Sequence, residues 1–447
     1  MKGQAGTQGI WVIGGGLAGS EAAWQAASCG ANVRLVEMRP EKTTGAHRSG
    51  DLAELVCSNS LGTVLPDRAG GILKYELEGM GSLLMRLAVA CAVPAGSALA
   101  VDRAAFARRV TEEILAHPRI EVVRQEAVEI PEEPAVIATG PLTSPAFSAA
   151  LRELTGTEHL YFYDAIAPIV AADSIDRSVV FSDSRNGSAA DYLNCPLNET
   201  EYRQLVAELA RAERIPLRDF ECDGMAGKGR YFEGCLPVEV MAERGPDTLA
   251  YGTMRPVGLR DPRTGRAPFA VVQLRRENAA QSLFNLVGFQ TNLRIGEQRR
   301  IFRMIPGLQR VEFMRYGQMH RNTFLNAPRL LGPTLQFRAR PGILVAGQLA
   351  GVEGYAGNIA TGLLAGRNAV RRMRGLEPLL PPEGTMIGGL CRYLAEAEEK
   401  HFQPMKANLG LLPKPEQKRM TRWDRSRLQS KHARETFDRW RREVWDR

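Results

Sequence analysis

Between a short apolar run, Ile10-Trp11-Val12-Ile13, and an alanine-rich stretch, Ser20 to Ser28, stands Gly14-Gly15-Gly16-Leu17-Ala18-Gly19. A strand that turns through G-x-G-x-x-G into a helix needs its first glycine for the turn, its second for close approach of a ligand to the backbone, and its third, Gly19, for helix packing. The helix start then offers unpaired N–H groups and the positive end of its dipole, which suits a pyrophosphate. Ala31 to Glu37 reads as a second strand, so strand, turn, helix and strand follow one another within the ~30 residues of a βαβ unit. Glu37 closes the unit about 20 residues after the glycines, where a carboxylate accepts hydrogen bonds from ribose hydroxyls. The pattern predicts a dinucleotide-binding unit with Gly14, Gly15, Gly16, Leu17, Ala18, Gly19 and Glu37 as cofactor contacts.

At 447 residues the chain has room for two or three domains of roughly 150 residues each. Residues 43–71, rich in Gly, Ser, Asn and Thr and without a sustained period, read as a long loop system, a length at which loops are commonly functional. Val101 to Leu115 has helical spacing, Glu121 to Val123 reads as a strand, and Ala135 to Ala138 as a short buried strand. From about Pro196 to Pro333 the character changes to a helix around Thr200 to Glu213, alternating β-like stretches, and dense Arg and Gly. Ile343 to Gly347 then restores the buried-strand signature, and Asn358 to Met373 reads as a helix behind a glycine loop. The expected organisation is a cofactor domain begun in 1–195 and completed in 334–380, an inserted substrate domain in 196–333, and a helical basic tail in 381–447.

Ala138-Thr139-Gly140 and Leu344-Val345-Ala346-Gly347-Gln348, followed by Gly351, Gly354 and Gly357, resemble the second and third signatures of the glutathione-reductase type of FAD-binding fold. That resemblance implies an α/β, Rossmann-like FAD-binding fold with an inserted α+β domain and a helical C-terminal tail. It adds Gly140, Gly347, Gln348, Gly357 and Asn358 to the expected cofactor contacts. Many relatives carry Asp where Gln348 stands.

Charge bears on partners. The formal net charge is +8, and Lys414 to Arg447 alone holds twelve Lys or Arg against six Asp or Glu, so the tail carries +6 of it. Trp423, Trp440 and Trp445 are interleaved with these arginines. Such a segment is either a holder of a polyphosphate backbone or a solvated helix whose tryptophans pack on the body. The N-terminus lacks a basic flank followed by an apolar stretch. The longest apolar run, Leu87 to Val101, is broken by Pro94 and Gly96 and falls short of the ~20 residues that span a bilayer. Seven irregularly spaced cysteines include no C-x-x-C pair. The reading is a cytoplasmic, reduced protein with no membrane association and no metal site.

Cys57, in Glu54-Leu55-Val56-Cys57-Ser58-Asn59-Ser60, and Cys235, in Phe232-Glu233-Gly234-Cys235-Leu236-Pro237-Val238-Glu239, stand in polar or Gly/Pro-bounded stretches. Cys29, Cys91 and Cys391 read instead as small apolar fillers. Near Cys235 in the chain, Glu233 and Glu239 are candidate proton acceptors, and Arg230 and Arg244 carry charge that favours a thiolate. Together with Ala46-His47, Met254-Arg255-Pro256-Val257-Gly258-Leu259 and Met319-His320-Arg321-Asn322-Thr323-Phe324, these motifs resemble the bacterial folate- and FAD-dependent tRNA uracil-5-methyltransferases over most of the chain. The resemblance implies transfer of a one-carbon unit from 5,10-methylenetetrahydrofolate to the T-loop uridine at position 54 of tRNA, with FAD reduced by NADPH or NADH. Under it Cys235 is the nucleophile and Cys57 a base or a partner in a methylene relay. His47, Arg255, His320 and Arg321 become candidate contacts to folate or RNA, with Arg275 and Arg276 open to either. tRNA and folate are the implied partners, and no stable protein partner is expected. Two other readings remain at this level. One is FAD-dependent modification of another tRNA uridine, for which a longer chain with a further helical domain is expected; the other is a flavin thiol-disulfide oxidoreductase, for which closely spaced cysteines are expected.

Overall fold

The computed structural model describes residues 9–156, 160–185, 191–216, 236–415 and 420–446; for residues 160–164, 320 and 321 it describes the backbone alone. A five-stranded sheet runs in the order Ile343–Val345, Ala135–Ile137, Ile10–Ile13, Val33–Glu37, Ile120–Arg124, and every neighbouring pair is parallel. Parallel strands covered on both faces read as continuous apolar runs, which is why these short segments stand out in the sequence. Gly14 takes φ +101°, a left-handed conformation costly for any other residue, and a Cβ there would collide with the Ala138 carbonyl of the adjacent strand end. A Cβ at Gly19 would overlap the carbonyl oxygen of Gly14, so the first helix, Leu17–Ser28, can start hard against the turn. The late helix, Tyr355–Met373, crosses this first helix closely, with Gly362 and Gly366 against the Ala18 and Ala22 backbone.

A second, six-stranded antiparallel sheet has the order Phe181–Asp183, Tyr192–Leu197, Ala270–Arg276, Leu283–Leu286, Ile169–Ala171, Phe313–Arg315. It has its own apolar core, built around Val170, Leu205, Phe289 and Phe302. Its strands begin at Ile169, before the residue 196 expected as the edge of the insertion, and residue 196 lies within the Tyr192–Leu197 strand. Strands of three residues are too short to show a period, so only the denser Arg and Gly content further on is visible in sequence. The helix expected over 200–213 is Glu199–Arg211, started by a capping box in which Asn198 and Glu201 exchange hydrogen bonds. The helix expected from Asn358 begins three residues earlier, at Tyr355.

The stretch 43–71, expected as loop, contains the strand Ser60–Thr63, paired with Ala98–Val101, and leads into a helix at Ala69–Gly79. The C-terminal helix, Arg422–Trp440, docks on that helix and on the loop before it. Ser426 and Ser430 donate to the carbonyls of Asp67 and Pro66, the Tyr75 hydroxyl donates to Asp438 at 3.0 Å, and Phe437 packs on Gly79. Trp440 and Trp445 enter the main core, with the Arg367 guanidinium 4.0 Å above the Trp445 ring. Trp423 does not: it is 60% exposed. Among the described residues no helix is long and apolar enough to cross a membrane.

Candidate functional site

The mouth of the glycine turn opens into a cavity lined by Gly14, Gly16, Leu17, Ala18, Glu37, Gly140, Gly347, Gln348 and Asn358. Nine of the twelve residues expected to contact the cofactor are thus brought together from three distant parts of the chain. The other three have neighbouring duties. Gly15 donates its N–H to Glu37 Oε2 at 2.7 Å, Gly19 underlies the turn, and Gly357 lines the adjoining cleft.

Glu37 is buried and heavily engaged. Besides Gly15 it accepts from the Arg39 N–H at 3.0 Å and the Arg39 guanidinium at 2.9 Å, and Arg39 in turn reaches Glu54 at 3.3 Å. Burial pushes the Glu37 carboxyl up, but the Arg39 hydrogen bond and charge, with the two backbone N–H groups, outweigh it and hold the group below the ordinary value. Glu37 is therefore an anion. A carboxylate has about four lone-pair sites, and three N–H groups leave roughly one for a ribose hydroxyl.

The cavity fits a dinucleotide on its own evidence. A Cβ at Gly16 or Gly140 would meet nothing within 4 Å, so each opens onto space rather than onto protein. Gly16 provides no side-chain cap, which leaves first-turn N–H groups of the helix for an anion. The Asn358 Oδ1 is buried without a hydrogen-bond partner while its residue lines the cavity, so it awaits a donor.

Next to the cavity lies a small chamber lined by Cys57, Ser58, Asn322, Gln348, Tyr355 and Asn358. Beyond it opens a wide cleft of about 1040 Å³, against about 120 Å³ for the chamber, so among the described residues the cleft is the space with room for a large substrate. Cys57 and Tyr355 line both, and Tyr355 also lines the nucleotide cavity. The Cys57 N–H donates to the Tyr355 hydroxyl at 2.9 Å, which ties the thiol-bearing segment to the start of the late helix.

Three guanidinium groups hold this segment. Arg103 donates to the carbonyls of Leu55 at 2.8 Å and Cys57 at 3.3 Å, and Arg315 to that of Val56 at 3.1 Å. Arg275 donates to Asn59 Oδ1 at 2.9 Å, and the Asn59 amide bridges the carbonyls of Val101 and Arg276. Arg103, Arg275 and Arg315 are each in electrostatic contact with Cys57. Glu277 sits 3.1 Å from Arg103; burial pulls that guanidinium down, but the Glu277 charge and hydrogen bond, together with Tyr355 and Cys57, outweigh it and raise the group. Burial and the neighbouring Arg103 and Arg48 charges bring Arg315 down to about 10. Arg275, a candidate folate or RNA contact by sequence, lines the cleft, but its Nε is committed to the loop.

A family model described as "Glucose inhibited division protein A" matches residues 9–377. The methylenetetrahydrofolate–tRNA-(uracil-5-)-methyltransferase TrmFO of Moorella thermoacetica is 57% identical over 96% of this chain and 97% of its own length. The protein of the same name from Rubrobacter xylanophilus is 56% identical over 97% of each. The chain belongs to the TrmFO family. Among solved structures, Aquifex aeolicus GidA superposes with a TM-score of 0.67 at 17% identity, covering 96% of this chain and 73% of that one. That likeness concerns the fold alone, which in this chain is a parallel five-stranded sheet with helices at the C-terminal end.

The remaining expected site residues fall in different places. His47, expected near substrate, lines the nucleotide cavity, its Nδ1 2.7 Å from the Thr44 hydroxyl. Arg255 is exposed and lines none of the three spaces. His320 and Arg321 occupy the strand Met319–Phe324, which pairs antiparallel with Leu160–Ala165. Cys235, with Cys222, Arg230 and Glu233, lies outside the described residues. Glu239, expected as a proton acceptor, is buried and accepts from the Thr291 hydroxyl at 2.8 Å and the Asn292 N–H at 2.7 Å, which makes it a scaffold group. Burial raises its carboxyl despite those bonds. Cys91 and Cys391 are buried as expected of fillers, whereas Cys29 is only partly so. Sequence reasoning assigns no role to Arg39, Tyr355, Arg103 or Arg315. Tyr355 has one signal, its place at the end of the glycine loop; the arginines have none.

Proposed function

We propose that this chain transfers a one-carbon unit from 5,10-methylenetetrahydrofolate to C5 of the uridine at position 54 of tRNA, forming 5-methyluridine with FAD and NADPH or NADH. The observation that carries the reading is the small chamber holding Cys57 and Tyr355, which shares Tyr355 with the nucleotide cavity and both residues with the wide cleft. A cofactor on one side and a large substrate on the other would face the same thiol.

When bound, a reduced flavin supplies the hydride that turns the transferred methylene into a methyl group. The chain's own residues do the rest. Uracil C5 is a poor nucleophile until a thiolate adds at C6, and by the family pattern Cys235 has that role. Cys57 removes the C5 proton. Positive charge beside a thiol favours its anion, and Arg103, Arg275 and Arg315 supply it around Cys57. Gly14, Gly16, Gly140, Gly347 and Asn358 hold the dinucleotide, with Glu37 on a ribose hydroxyl. His47, His320 and Arg321 contact folate or the target nucleotide, and Arg255 reaches RNA from the surface. The domain division follows the two sheets, with the substrate domain entered from Ile169 onward. We place the protein in the cytoplasm, where tRNA and reduced thiols are available.

The test is direct. The FAD-loaded protein is incubated with unmodified tRNA, labelled methylenetetrahydrofolate and NADPH, and the RNA is digested. Label in 5-methyluridine from position 54 is the expected result; label absent from uridine would sink the proposal. Label at another uridine would leave the chemistry and change the target.

A further inference from the structure

The wide cleft has a charge pattern that the chemistry at Cys57 does not use. Among the described residues its lining includes Arg68, Arg275, Lys406, Lys414, Arg422 and Arg425 against one carboxylate, Glu353. Arg275 and Glu353 lie near the inner end. Arg68, Lys414, Arg422 and Arg425 gather where the C-terminal helix passes over the loop before Ala69. Lys414, Arg422 and Arg425 are exposed. The nearby acids are already engaged: Asp424 accepts from the Thr421 hydroxyl at 2.7 Å, and Asp67 lies 3.9 Å from Arg68.

At this rim stands Trp423. Unlike Trp440 and Trp445, which anchor the helix in the core, it is 60% exposed. The Arg68 guanidinium lies over its ring at 4.4 Å from the centroid, covering one face and leaving the rest of the indole in solvent. An exposed indole backed by a guanidinium and flanked by cations is the combination that holds single-stranded RNA: the π-face takes a base, and the charges take the phosphates on either side.

We propose that Trp423, backed by Arg68, is a stacking platform for an unpaired nucleobase of the RNA substrate. Lys414, Arg422 and Arg425 hold the flanking phosphates at the outer rim of the cleft whose inner end holds Cys57. The inference rests on the tRNA reading for its ligand, but it is tested by binding and not by turnover.

FAD-loaded wild type, W423A, W423F and the double variant R422Q/R425Q are compared for affinity to an unmodified tRNA transcript over a series of salt concentrations. W423A is expected to bind roughly 5- to 100-fold more weakly, the range of one base–aromatic stack, with its salt dependence unchanged. W423F keeps a ring and stays within about threefold of wild type. R422Q/R425Q weakens binding and flattens the slope of log K against log salt by about 0.7 for each phosphate left without its cation. W423A that retains FAD and the wild-type melting temperature yet binds tRNA within about twofold of wild type overturns the platform. A wild-type protein that makes no labelled 5-methyluridine, while W423A still loses tRNA affinity, overturns the reaction and leaves the platform standing.

Discussion

The nucleotide cavity and the cationic cleft share a wall but are built from different material. The cavity's expected dinucleotide contacts are largely main chain: Gly14 and Gly16 in the turn, the strand ends at Gly140 and Gly347, and the start of the late helix. The cationic contacts of the cleft are side chains, contributed by the loop at Arg68, the strand holding Arg275, Lys406, Lys414 and the C-terminal helix. Main-chain sites depend on a conformation that few residues allow, so one substitution is expected to ruin them. Side-chain sites spread their function over several long residues, and single changes there are expected to cost less, except at Cys57, the thiol to which the proposed function gives a chemical role.

That contrast can be broken most sharply at Cys57. Replacing it with Ala is expected to lower formation of labelled 5-methyluridine by about 10²- to 10⁴-fold, while flavin absorbance stays and added FAD restores nothing. A variant keeping a large share of wild-type activity would move the chemistry away from the place where the two spaces meet. Gly14→Val comes next. The left-handed φ of +101° and the collision with the Ala138 carbonyl should cost about 1–3 kcal/mol or more, giving protein purified largely without FAD. Excess FAD should rescue part of its activity, which it cannot do for C57A.

A smaller effect is expected where side chains hold the thiol segment. Arg315→Gln removes the donor to the Val56 carbonyl and should lower methyl transfer by about tenfold through loss of a charged hydrogen bond, with FAD retained. An unchanged turnover would show that Arg103 and Arg275 suffice to hold the segment.

The support beneath the cleft wall is tested through stability and not through turnover, on which its effect is expected to be the smallest. Glu76, on the Ala69–Gly79 helix, accepts the N–H groups of Met386 and Ile387 at 2.7 and 2.9 Å, joining that helix to Met386–Glu396. Burial pushes its carboxyl up to about 8, partly opposed by those two bonds. Because the folded value lies above the ordinary 4.5, its stabilising contribution is complete below about pH 4.5 and is lost as pH rises to about 8. Over that window this one group should lower the unfolding free energy with a slope of up to about 1.4 kcal/mol per pH unit. Urea unfolding at pH 6 and pH 8 should show the fall in wild type and a flatter response in Glu76→Gln.

Much of the cavity was legible in the sequence for the reason that makes it fragile. A turn requiring φ above zero, a helix packed on a carbonyl, and strands buried on both faces each restrict residue type locally, and the restriction can be read within about thirty residues. Glu37 was legible as an acid at the right distance, but its partner Arg39 was not, because nothing in Met38-Arg39-Pro40 says that the guanidinium folds back onto the carboxylate. The cleft was barely legible. The +6 tail announced a basic segment, yet only the fold separates Trp440 and Trp445, which are buried, from Trp423, which is not.

Sequence alone thus determined the βαβ unit, its dinucleotide turn, the late return of the chain to the same sheet, and, through the motifs around its cysteines, the family. Those features are set by short-range sterics and by local residue patterns. Tertiary structure alone decided that Tyr355 ties Cys57 to the cofactor side, that arginines 103, 275 and 315 converge on one loop, and that the C-terminal helix walls the cleft. These contacts join residues tens to hundreds of positions apart. A long charged side chain satisfies so many environments that its type and position in the chain do not reveal which carbonyl, ring or phosphate it will meet.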